Sequence, residues 1–421
     1  MRINYFSCRN FRNLEETEIN NFDEMNVICG ENAQGKTNLL EGLWLFTGIK
    51  SFRSAKDAAF VRFGKEKAEL KMNFLADGIE NDAEIEIKEH RAATLNGSKL
   101  KSAAALAGSF KAIVFSPDDL ELVSGGPAVR RRFLDIAIGQ LYPAYIGISK
   151  AYARAVTQRN RIIKDYRYDG TLSVMLDVFE NEIAANGRKI YAFRNKYTEY
   201  LKEFLPSVYG GISSGKEVLE TEYMPVCGAD ELEERLKKAR ADDMYSGTTS
   251  IGPHRDELIF KINGISARNF GSQGQKRSVS LSVKLAEAEI INKLSGEYPV
   301  VLLDDVMSEL DPERQNYVLN HIKGIQSFIT CCDPSNTAQL KKGKIINEDE
   351  FINKNNAKYG IKVVKTEYIE NNTKTEEKTL KYLSSNEQKV NEILKVLEKN
   401  EVTPIGLEDV ICDFSKEILF L

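Results

Sequence analysis

The sequence predicts an α/β fold in two lobes, and three observations support that prediction. An apolar segment, Met25–Cys29, precedes a glycine-rich loop and a helical pattern from Lys36 to Phe46. A second apolar segment, Val300–Leu303, ends in two acidic residues, as a buried parallel strand often does. Between these two segments the pattern becomes helical over about 127–200. Strands alternating with helices in this way predict a parallel sheet covered by helices.

The chain of 421 residues is long enough for two lobes that each have a hydrophobic core. Changes between strand-like and helical patterning near residues 120 and 296 indicate the lobe boundaries. A later segment is polar and rich in Asn, Lys and Glu, a composition typical of linkers. We therefore expect, in chain order, lobe I (1–120), lobe II (121–295), the second part of lobe I (296–345), a linker (346–382) and a short helical tail (383–421).

Local signals add detail to this division. Asn96-Gly97 and Asn263-Gly264 each favour a two-residue hairpin turn between strands. A helical pattern from about Gln273 to Leu294 leads into the apolar strand that ends before the acid pair. A further strand is expected at Gln326–Ile329.

The tail begins with a helix-start signal, Ser385 to Gln388, in which a serine precedes a glutamine by three residues. Thr403-Pro404 and Ser415 can start two further helices, so the tail is similar to a helix-turn-helix module. Its last helix offers only Lys416 as a cation, so we expect the tail to contact protein rather than DNA. The apolar residues at helical spacing in its first helix are Val390, Ile393, Leu394 and Leu397.

The apolar runs of the sequence are too short for a transmembrane helix. Polar and basic residues, among them Arg2 and Arg9, interrupt the N-terminus, so we do not expect a cleavable signal. The six cysteines form no C-x-x-C pair and no zinc-ligand spacing. These features predict a cytoplasmic protein that does not contact a membrane and keeps its cysteines reduced.

Charge is distributed unevenly along the chain. The net charge is −4, but residues 346–421 hold 11 Lys/Arg and 15 Asp/Glu, which leaves the first 345 residues neutral. Within that neutral part, residues 126–165 hold eight basic side chains and two acidic ones. Each of these cations is equally well explained as a phosphate contact or as a solvated or packing side chain. The candidate phosphate contacts are Arg130, Arg131, Arg132, Arg154, Arg159 and Arg161, with Lys164.

The loop after Met25–Cys29 matches the pattern G-x-x-x-x-G-K-[ST], from Gly30 through Gly35 to Lys36 and Thr37. Its glycines allow backbone N–H groups to surround phosphates, and the start of the next helix adds about half a positive charge. The Lys36 ammonium can reach the β- and γ-phosphates, and the Thr37 hydroxyl can bind Mg²⁺. The sequence therefore predicts a site for a nucleoside triphosphate.

Two further segments fit such a site. Asp304 and Asp305 follow a buried strand, at the strand end where α/β sheets bind ligands. Asp304 is the candidate Mg²⁺ ligand, and Asp305 is the candidate base or positioner for attacking water. Ser272 can cap the start of a helix, where exposed N–H groups also bind anions. A second phosphate site so far along the chain makes sense if it serves the nucleotide of another subunit.

Together these motifs resemble those of ABC-type ATPases, and most closely the RecF family of bacterial recombination mediators, which is related to SMC proteins. The segments that carry the wider resemblance are the signature-like Gly271–Gln275, the D-loop-like Val306–Asp311, the N-terminal Asn10–Asn13 and the arginine segment Ser51–Ser54. More narrowly RecF-like are Phe115–Leu120, Gly126-Pro127, Arg131–Asp135 and Gly252–Asp256. The match covers roughly residues 1–345.

The resemblance implies an α/β ABC-type ATPase head with a helical-plus-strand second lobe, ligands ATP and Mg²⁺, and a homodimer that closes on ATP. It implies catalytic roles for Lys36, Asp305 and Ser272, the last acting on the partner's nucleotide. It places Thr37 and Asp304 at the metal. The residues that it implies for the nucleotide are Gly30, Asn32, Gly35, Lys36, Thr37, Asn38, Arg12, Arg53, Ser272, Gly274, Gln275 and Thr330.

The resemblance also implies a role in DNA replication, recombinational repair and the SOS response. The expected substrate is double-stranded DNA at gaps and single-strand/double-strand junctions. The expected partners are RecR, RecO and RecA-like proteins, which the protein would help to load onto single strands. Slow, DNA-stimulated ATP hydrolysis is expected to time these steps.

The sequence departs from the general ABC pattern at three points. Asp305 replaces the usual catalytic glutamate and is one methylene shorter. No histidine stands at the switch position, where Thr330 is nearest, and Pro117-Asp118-Asp119 stands where a Q-loop glutamine is usual. A short base without a switch histidine predicts slow turnover.

Three other classes of protein share part of this pattern. A transporter nucleotide-binding subunit would lack the arginine-rich insertion and the Asn10–Asn13 opening. An SMC arm protein needs hundreds of heptad residues between its halves, and only about 150 helical-to-mixed residues are present here. An ATP-gated DNA clamp that does not hydrolyse ATP, or a nucleotide-binding subunit of another machine, stays open as the alternative.

Overall fold

The computed structural model describes residues 1–31, 34–53, 56–166, 173–332, 343–347, 359–369 and 372–384, with residues 391, 394, 395 and 397. The strands in these parts are β1 (Arg2–Phe11), β2 (Leu14–Asn20), β3 (Met25–Cys29), β4 (Ala68–Ala76), β5 (Ile79–Ile87), β6 (Arg91–Leu95), β7 (Ser98–Lys99), β8 (Ala112–Phe115), β9 (Leu219–Met224), β10 (Glu257–Ile262), β11 (Ile265–Ser266), β12 (Val300–Leu303), β13 (Ser327–Cys331), β14 (Lys344–Asn347), β15 (Tyr359–Ile369) and β16 (Asn372–Ser384). The helices are α1 (Lys36–Leu45), α2 (Glu121–Ser124), α3 (Pro127–Leu141), α4 (Pro143–Tyr166), α5 (Ser173–Ile212), α6 (Leu232–Lys238), α7 (Arg240–Ser246), α8 (Ala267–Phe270), α9 (Gln273–Ser295) and α10 (Pro312–His321).

Two compact units divide the fold. The helical unit consists of Ala104–Ile325 with Met1 and Thr47–Ile49, and the sheet unit consists of Arg2–Phe46, Lys50–Ala103 and the residues from Gln326 onward. This division differs from the predicted lobes, because Asp304 and Asp305 belong to the helical unit rather than to the unit with the glycine-rich loop. The physical reason is that β12, which leads to these acids, pairs in parallel with β8 of the same unit.

The sheet unit contains a six-stranded antiparallel sheet in the order β2-β1-β4-β5-β6-β7. Asn96 and Gly97 join β6 to β7, and both have positive φ values (49° and 74°), so the predicted two-residue turn is confirmed. A second, parallel set places β3 between β13 and β14. β3 is almost entirely buried and leads into the glycine-rich loop and α1, as the sequence predicted.

The helical unit is built on the long helices α3, α4, α5 and α9, which confirms the helical pattern predicted from residue 127 onward in the described residues. β10 lies between β9 and β11, and Asn263-Gly264 forms the predicted turn between β10 and β11. α9 ends at Ser295 and is followed by Gly296, whose φ of 78° is a left-handed conformation that stops the helix and that glycine adopts at little cost. Within the described parts of the chain, no helix combines the length and apolarity needed to cross a bilayer.

The C-terminal part differs from its prediction. Residues 346–382 were expected to be a linker, but β15 and β16 form an antiparallel hairpin between residues 359 and 384. The strands are polar overall, which led to the linker interpretation, yet they are rich in β-branched Ile, Val and Thr, which favour extended backbone. The helix start predicted at Ser385–Gln388 and those at Thr403-Pro404 and Ser415 lie outside the described residues, while residues 391, 394, 395 and 397 are helical.

Candidate functional site

The glycine-rich loop connects β3 to α1. Gly35 precedes α1 with a φ of 100°, a conformation that side chains rarely adopt. A Cβ at Gly35 would also lie 2.6 Å from the Asn13 side-chain oxygen, so that side chain would have to move. Gly30 follows the buried end of β3, and the predicted contact Asn32 lies outside the described residues. The strand, loop and helix therefore follow one another as a phosphate loop requires.

Lys36 is the first residue of α1 and is almost fully buried. Its ammonium donates to the carbonyl oxygens of Gly30 at 2.9 Å and Glu31 at 3.1 Å, and it lies 3.7 Å from the Cys332 sulfur. The ammonium thus turns back over its own loop, where phosphate oxygens can replace the carbonyl acceptors. Thr37 is half-buried in the first turn of α1, next to this ammonium in the sequence.

Arg12 and Arg53 converge on α1. The Arg12 guanidinium makes two hydrogen bonds to the Glu41 carboxylate, with Nε–Oε2 at 2.7 Å and Nη2–Oε1 at 3.0 Å. Arg53 donates to the Asn38 side-chain oxygen at 3.0 Å, and its guanidinium lies 3.9 Å from Glu41. Asn38 in turn donates to the Asn13 oxygen at 2.8 Å. The structure therefore brings three predicted nucleotide residues together at the start of α1, and it adds Glu41, which sequence reasoning missed.

Asp304 and Asp305 follow β12 in the helical unit. The Asp304 N–H donates to the Phe115 carbonyl at 2.8 Å, which continues the pairing with β8, and its side chain is buried. Asp305 has a φ of 53°, a left-handed conformation that aspartate and asparagine adopt more readily than most residues. The Asp305 carbonyl accepts from the Ser308 hydroxyl at 2.7 Å, so the chain turns immediately after the acid pair.

Ser272 caps the N-terminus of α9. Its hydroxyl accepts from the Gln275 N–H at 3.1 Å, and the Gln275 side-chain oxygen accepts from the Ser272 N–H at 2.8 Å, which is a capping box. Gln275 also donates to Glu217 at 2.7 Å, so this side chain anchors the turn. Ser272 is exposed and Phe270, just before it, is 76% exposed, so the signature-like segment lies at the surface of the helical unit. At Gly274 a Cβ would meet nothing closer than 3.6 Å, so packing does not require glycine there.

Thr330 does not lie at a strand end. β13 runs through Cys331, beyond the predicted end at Ile329, and Thr330 is buried opposite Ile28 of β3. The continued pairing with β3 explains the difference. Cys332, one residue after the strand, is the side chain of this segment that lies beside the Lys36 ammonium.

The segment that replaces the Q-loop turns inward. The Ser116 N–H donates to the Asp119 carboxylate at 2.6 Å, and the Asp119 carbonyl accepts from the Ser280 hydroxyl of α9 at 2.7 Å. Burial raises the pKa of Asp119, and the Lys284 ammonium, 4.0 Å away on α9, opposes that rise. A hydrogen bond and an ion pair therefore connect this segment to α9, the helix that Ser272 caps.

Two of the predicted DNA contacts are structural, which corrects that prediction. Arg130 is buried and pairs with Glu257 at 2.7 Å, and it donates to the carbonyls of Leu122 and Gly125. Arg159 is fully buried and pairs with Glu180 and Asp243. Guanidinium groups whose charge is satisfied inside the protein are not available to phosphates.

The other candidates lie nearer the surface. Arg131 and Arg132 are half-buried, burial lowers the pKa of both, and Arg131 donates to the Asp256 carbonyl at 2.8 Å. Arg154 and Arg161 are exposed on α4, and so is Lys164. Lys150, which was not among the candidates, is exposed on the same helix. Lys150 lies four residues before Arg154, about one helical turn away, and this spacing is the sequence signal that identifies it.

Comparison with known families agrees with these features. The model described as RecF/RecN/SMC N terminal domain matches residues 2–350, and that of a family of unknown function, DUF6514, matches residues 340–417. A curated RecF, "DNA replication and repair protein RecF", from Agathobacter rectalis is 38% identical and covers 79% of this chain and 92% of its own length. Its counterpart from Clostridium kluyveri is 37% identical, with 82% and 99% covered.

Two solved structures are similar along most of the chain. One, described as the recombination mediator protein RecF-ATPrS in the RecFOR pathway, has a TM-score of 0.76 and 35% identity, and it covers 82% of this chain and 95% of its own. The other, described as RecF-ATP in the same pathway, has a TM-score of 0.75 and 36% identity, with 80% and 93% covered. The fold is thus an ABC-type ATPase head of the RecF/RecN/SMC class. Within that class, the chain belongs to the RecF family.

Proposed function

We propose that this chain is an ATP-dependent DNA-binding protein of replication and recombinational repair that acts in the cytoplasm. It closes as a homodimer on ATP, holds duplex DNA at gaps or junctions, and hydrolyses ATP slowly. The observation that carries the proposal is the phosphate loop, in which Gly35 and the folded-back Lys36 ammonium leave a backbone cradle for phosphates. Relatives described with ATP and named for DNA replication and repair support it.

In this proposal Lys36 exchanges the Gly30 and Glu31 carbonyls for phosphate oxygens of its own subunit's ATP. We assign Mg²⁺ to the Thr37 hydroxyl and the Asp304 carboxylate, because both are oxygen donors of the kind that Mg²⁺ prefers. When bound, Mg²⁺ neutralises charge on the β- and γ-phosphates. Asp305 orients water for in-line attack, and its short side chain favours slow turnover.

Ser272 serves the ATP of the partner subunit. It is exposed at the N-terminus of a helix of more than six turns, where N–H groups and the helix dipole favour an anion. The exposed Phe270 beside it supplies apolar surface that a dimer contact would cover. ATP then favours the closed dimer by its differential affinity for that form.

DNA lies along α4 in this proposal. Lys150, Arg154, Arg161 and Lys164 are exposed, and their spacing places them on one face of the helix. They span about 21 Å, the length of about six base pairs. Such a row contacts phosphates, so binding would be salt-dependent and nearly independent of sequence. RecR, RecO and RecA-like proteins are the proposed partners, by family.

Three variants separate the steps of nucleotide use. Lys36→Ala should lose ATP binding and dimerisation, whereas Ser272→Arg should bind ATP as a monomer and fail to dimerise. Asp305→Asn keeps the left-handed backbone and the size of the side chain, so it should bind ATP, form the dimer and stall. ATP binding, size with ATP or ADP, and phosphate release are measured for each. A Ser272→Arg protein that dimerises like wild type would refute the shared site, and normal turnover by Asp305→Asn would exclude Asp305 as the base.

The alternative, an ATP-gated clamp without hydrolysis, is favoured by the absence of a switch histidine at Thr330, which is buried within β13. Phosphate release by the wild-type protein with and without duplex DNA distinguishes the two. A rate that is indistinguishable from that of Lys36→Ala under both conditions would establish the clamp.

The DNA surface has its own test. Replacing Arg154 and Arg161 together with alanine should weaken duplex binding and reduce the slope of log affinity against log salt by about 1.8, because two phosphate contacts are lost. The matched control is Arg235 and Lys238, two exposed cations of α6, whose replacement should leave the slope unchanged. Equal effects of the two pairs on the salt dependence would show that the DNA surface does not lie on α4.

A further inference from the structure

A buried carboxylate lies beside the phosphate loop and has no part in the roles above. Glu41 is on α1, five residues after Lys36. Its side chain is fully buried although it carries a charge, and the rest of α1 is mostly apolar. Removing a carboxylate from water is costly unless cations and hydrogen-bond donors surround it. A buried carboxylate that is held by cations also holds those cations in place.

The partners of Glu41 are the two predicted nucleotide arginines. Arg12 binds it with two parallel hydrogen bonds of 2.7 and 3.0 Å, which fixes the plane of the guanidinium. The Ser51 hydroxyl donates to the same carboxylate, and the Arg53 backbone N–H donates to that hydroxyl at 3.0 Å. The Arg53 guanidinium lies 3.9 Å from Glu41. One carboxylate thus sets both a side-chain plane and the path of the segment that carries the second arginine.

The same network reaches the phosphate loop. Arg53 donates to Asn38, Asn38 donates to Asn13, and the Asn13 amide fills the space in which a Cβ of Gly35 would lie. Glu41 is therefore connected, through the three side chains of Arg53, Asn38 and Asn13, to the glycine at which the loop becomes a helix. The Arg12 side chain is 18% exposed and the Arg53 side chain is 42% exposed, whereas the Glu41 side chain is not exposed.

We propose that Glu41 is a positioning residue for the nucleoside triphosphate: it holds Arg12 and Arg53 beside the start of α1 before the nucleotide arrives. This inference rests on the proposed function, because the triphosphate is its ligand. Cations that are already ordered lose less conformational freedom on binding, and the buried carboxylate offsets the repulsion among Arg12, Arg53 and Lys36. Without the carboxylate, Arg12 loses the two hydrogen bonds that fix its plane, and Arg53 keeps its bond to Asn38 but loses the nearby negative charge.

The test is a double-mutant cycle on the full chain with Mg²⁺–ATP, measured by titration calorimetry. Glu41→Gln keeps the size but loses the charge, and it should weaken ATP binding about tenfold, which is about 1.4 kcal/mol. In a background that carries both Arg12→Ala and Arg53→Ala, the same change should alter ATP affinity less than twofold, because both residues that Glu41 positions are gone. A purely structural role would give the same loss in both backgrounds.

The matched control is Glu16→Gln, which removes the carboxylate of an exposed Arg9–Glu16 pair in the same unit and should leave ATP affinity within twofold. If Glu41→Gln fails to fold, Arg12→Lys replaces it, since lysine keeps the charge but cannot form the two parallel bonds; it should bind ATP about fivefold more weakly. Wild-type affinity in Glu41→Gln or Arg12→Lys, or an equal loss in both backgrounds, overturns the inference alone. A wild-type protein that does not bind ATP refutes the proposed function as well.

Discussion

Arg159 and Arg154 lie five residues apart on α4, and replacing each with methionine should have different effects. Arg159→Met should lower the stability of the protein, whereas Arg154→Met should lower its affinity for DNA. The Arg159 guanidinium donates to Glu180 at 3.0 Å, to Asp243 at 2.6 Å and to the Thr249 hydroxyl at 2.9 Å, and all of these groups are buried. Arg159→Met leaves two buried carboxylates without their shared cation. Breaking a buried ion pair from one side costs about 3–5 kcal/mol.

That loss is large against a total stability of roughly 5–15 kcal/mol. For a unit of this size, each kcal/mol shifts the melting temperature by about 2–4 °C, so Arg159→Met should melt roughly 6–20 °C lower than wild type. Glu180 keeps a second cation, Arg240, so Asp243 suffers most from the loss. Thermal unfolding followed by circular dichroism measures the shift.

Arg154→Met is the control, because Arg154 is exposed on the same helix. Its free energy of unfolding should stay within about 0.5 kcal/mol of wild type. Its affinity for DNA should fall, whereas Arg159→Met should retain wild-type salt dependence at temperatures where it is folded. Equal melting temperatures for the two variants would refute the assignment of Arg159 to the core.

Three further predictions concern the Cys332 thiol, the His254 imidazole and the C-terminal tail. Cys332 is the exposed cysteine among the described residues, so maleimide should label it fastest, and ATP should slow labelling by occupying the space beside Lys36; peptide mapping with and without ATP checks this. Burial lowers the pKa of His254 from its ordinary 6.5 to about 4, so protonation of the unfolded chain should remove up to about 3 kcal/mol of stability as pH falls through that window. In urea titrations, His254→Gln should lose less stability over the same range. Deleting residues 385–421, which spares β16, should leave ATP hydrolysis and DNA affinity within about twofold of wild type. A tenfold loss of either would show that the tail takes part in ATP hydrolysis or DNA binding.

The features that the sequence predicts well are local. The phosphate loop needs glycine at position 35 because the backbone there has a φ of 100°, which is a local property of the turn into α1. The turns at Asn96-Gly97 and Asn263-Gly264 are likewise set by two residues each. Helix α9 shows its start through the Ser272 and Gln275 pair, three residues apart. In each case the sequence window contains the whole physical cause.

The features that it missed depend on distant partners. Arg130 is buried because Glu257 lies opposite it, 127 residues later in the chain, and no local pattern shows that pairing. A run of three arginines therefore suggested a DNA surface where the protein has a core ion pair. Glu41 gave no signal either, since its cations come from Arg12 and Arg53 on separate segments. The β15–β16 hairpin was missed because its polar composition resembles that of a linker.

The order of strands has a consequence for synthesis of the protein. β3 is complete once residue 29 has been made, but its neighbour β13 pairs with it from Ser327 onward. A ribosome adding 5–20 residues per second needs roughly 15–60 s to make the intervening chain. During that time the apolar Val27 and Ile28 of β3 lack β13, whereas β12 can pair with β8 once residue 303 has been made. Nascent chains that end just before residue 327, with the helical unit complete but β3 still without β13, should therefore be prone to aggregate during expression.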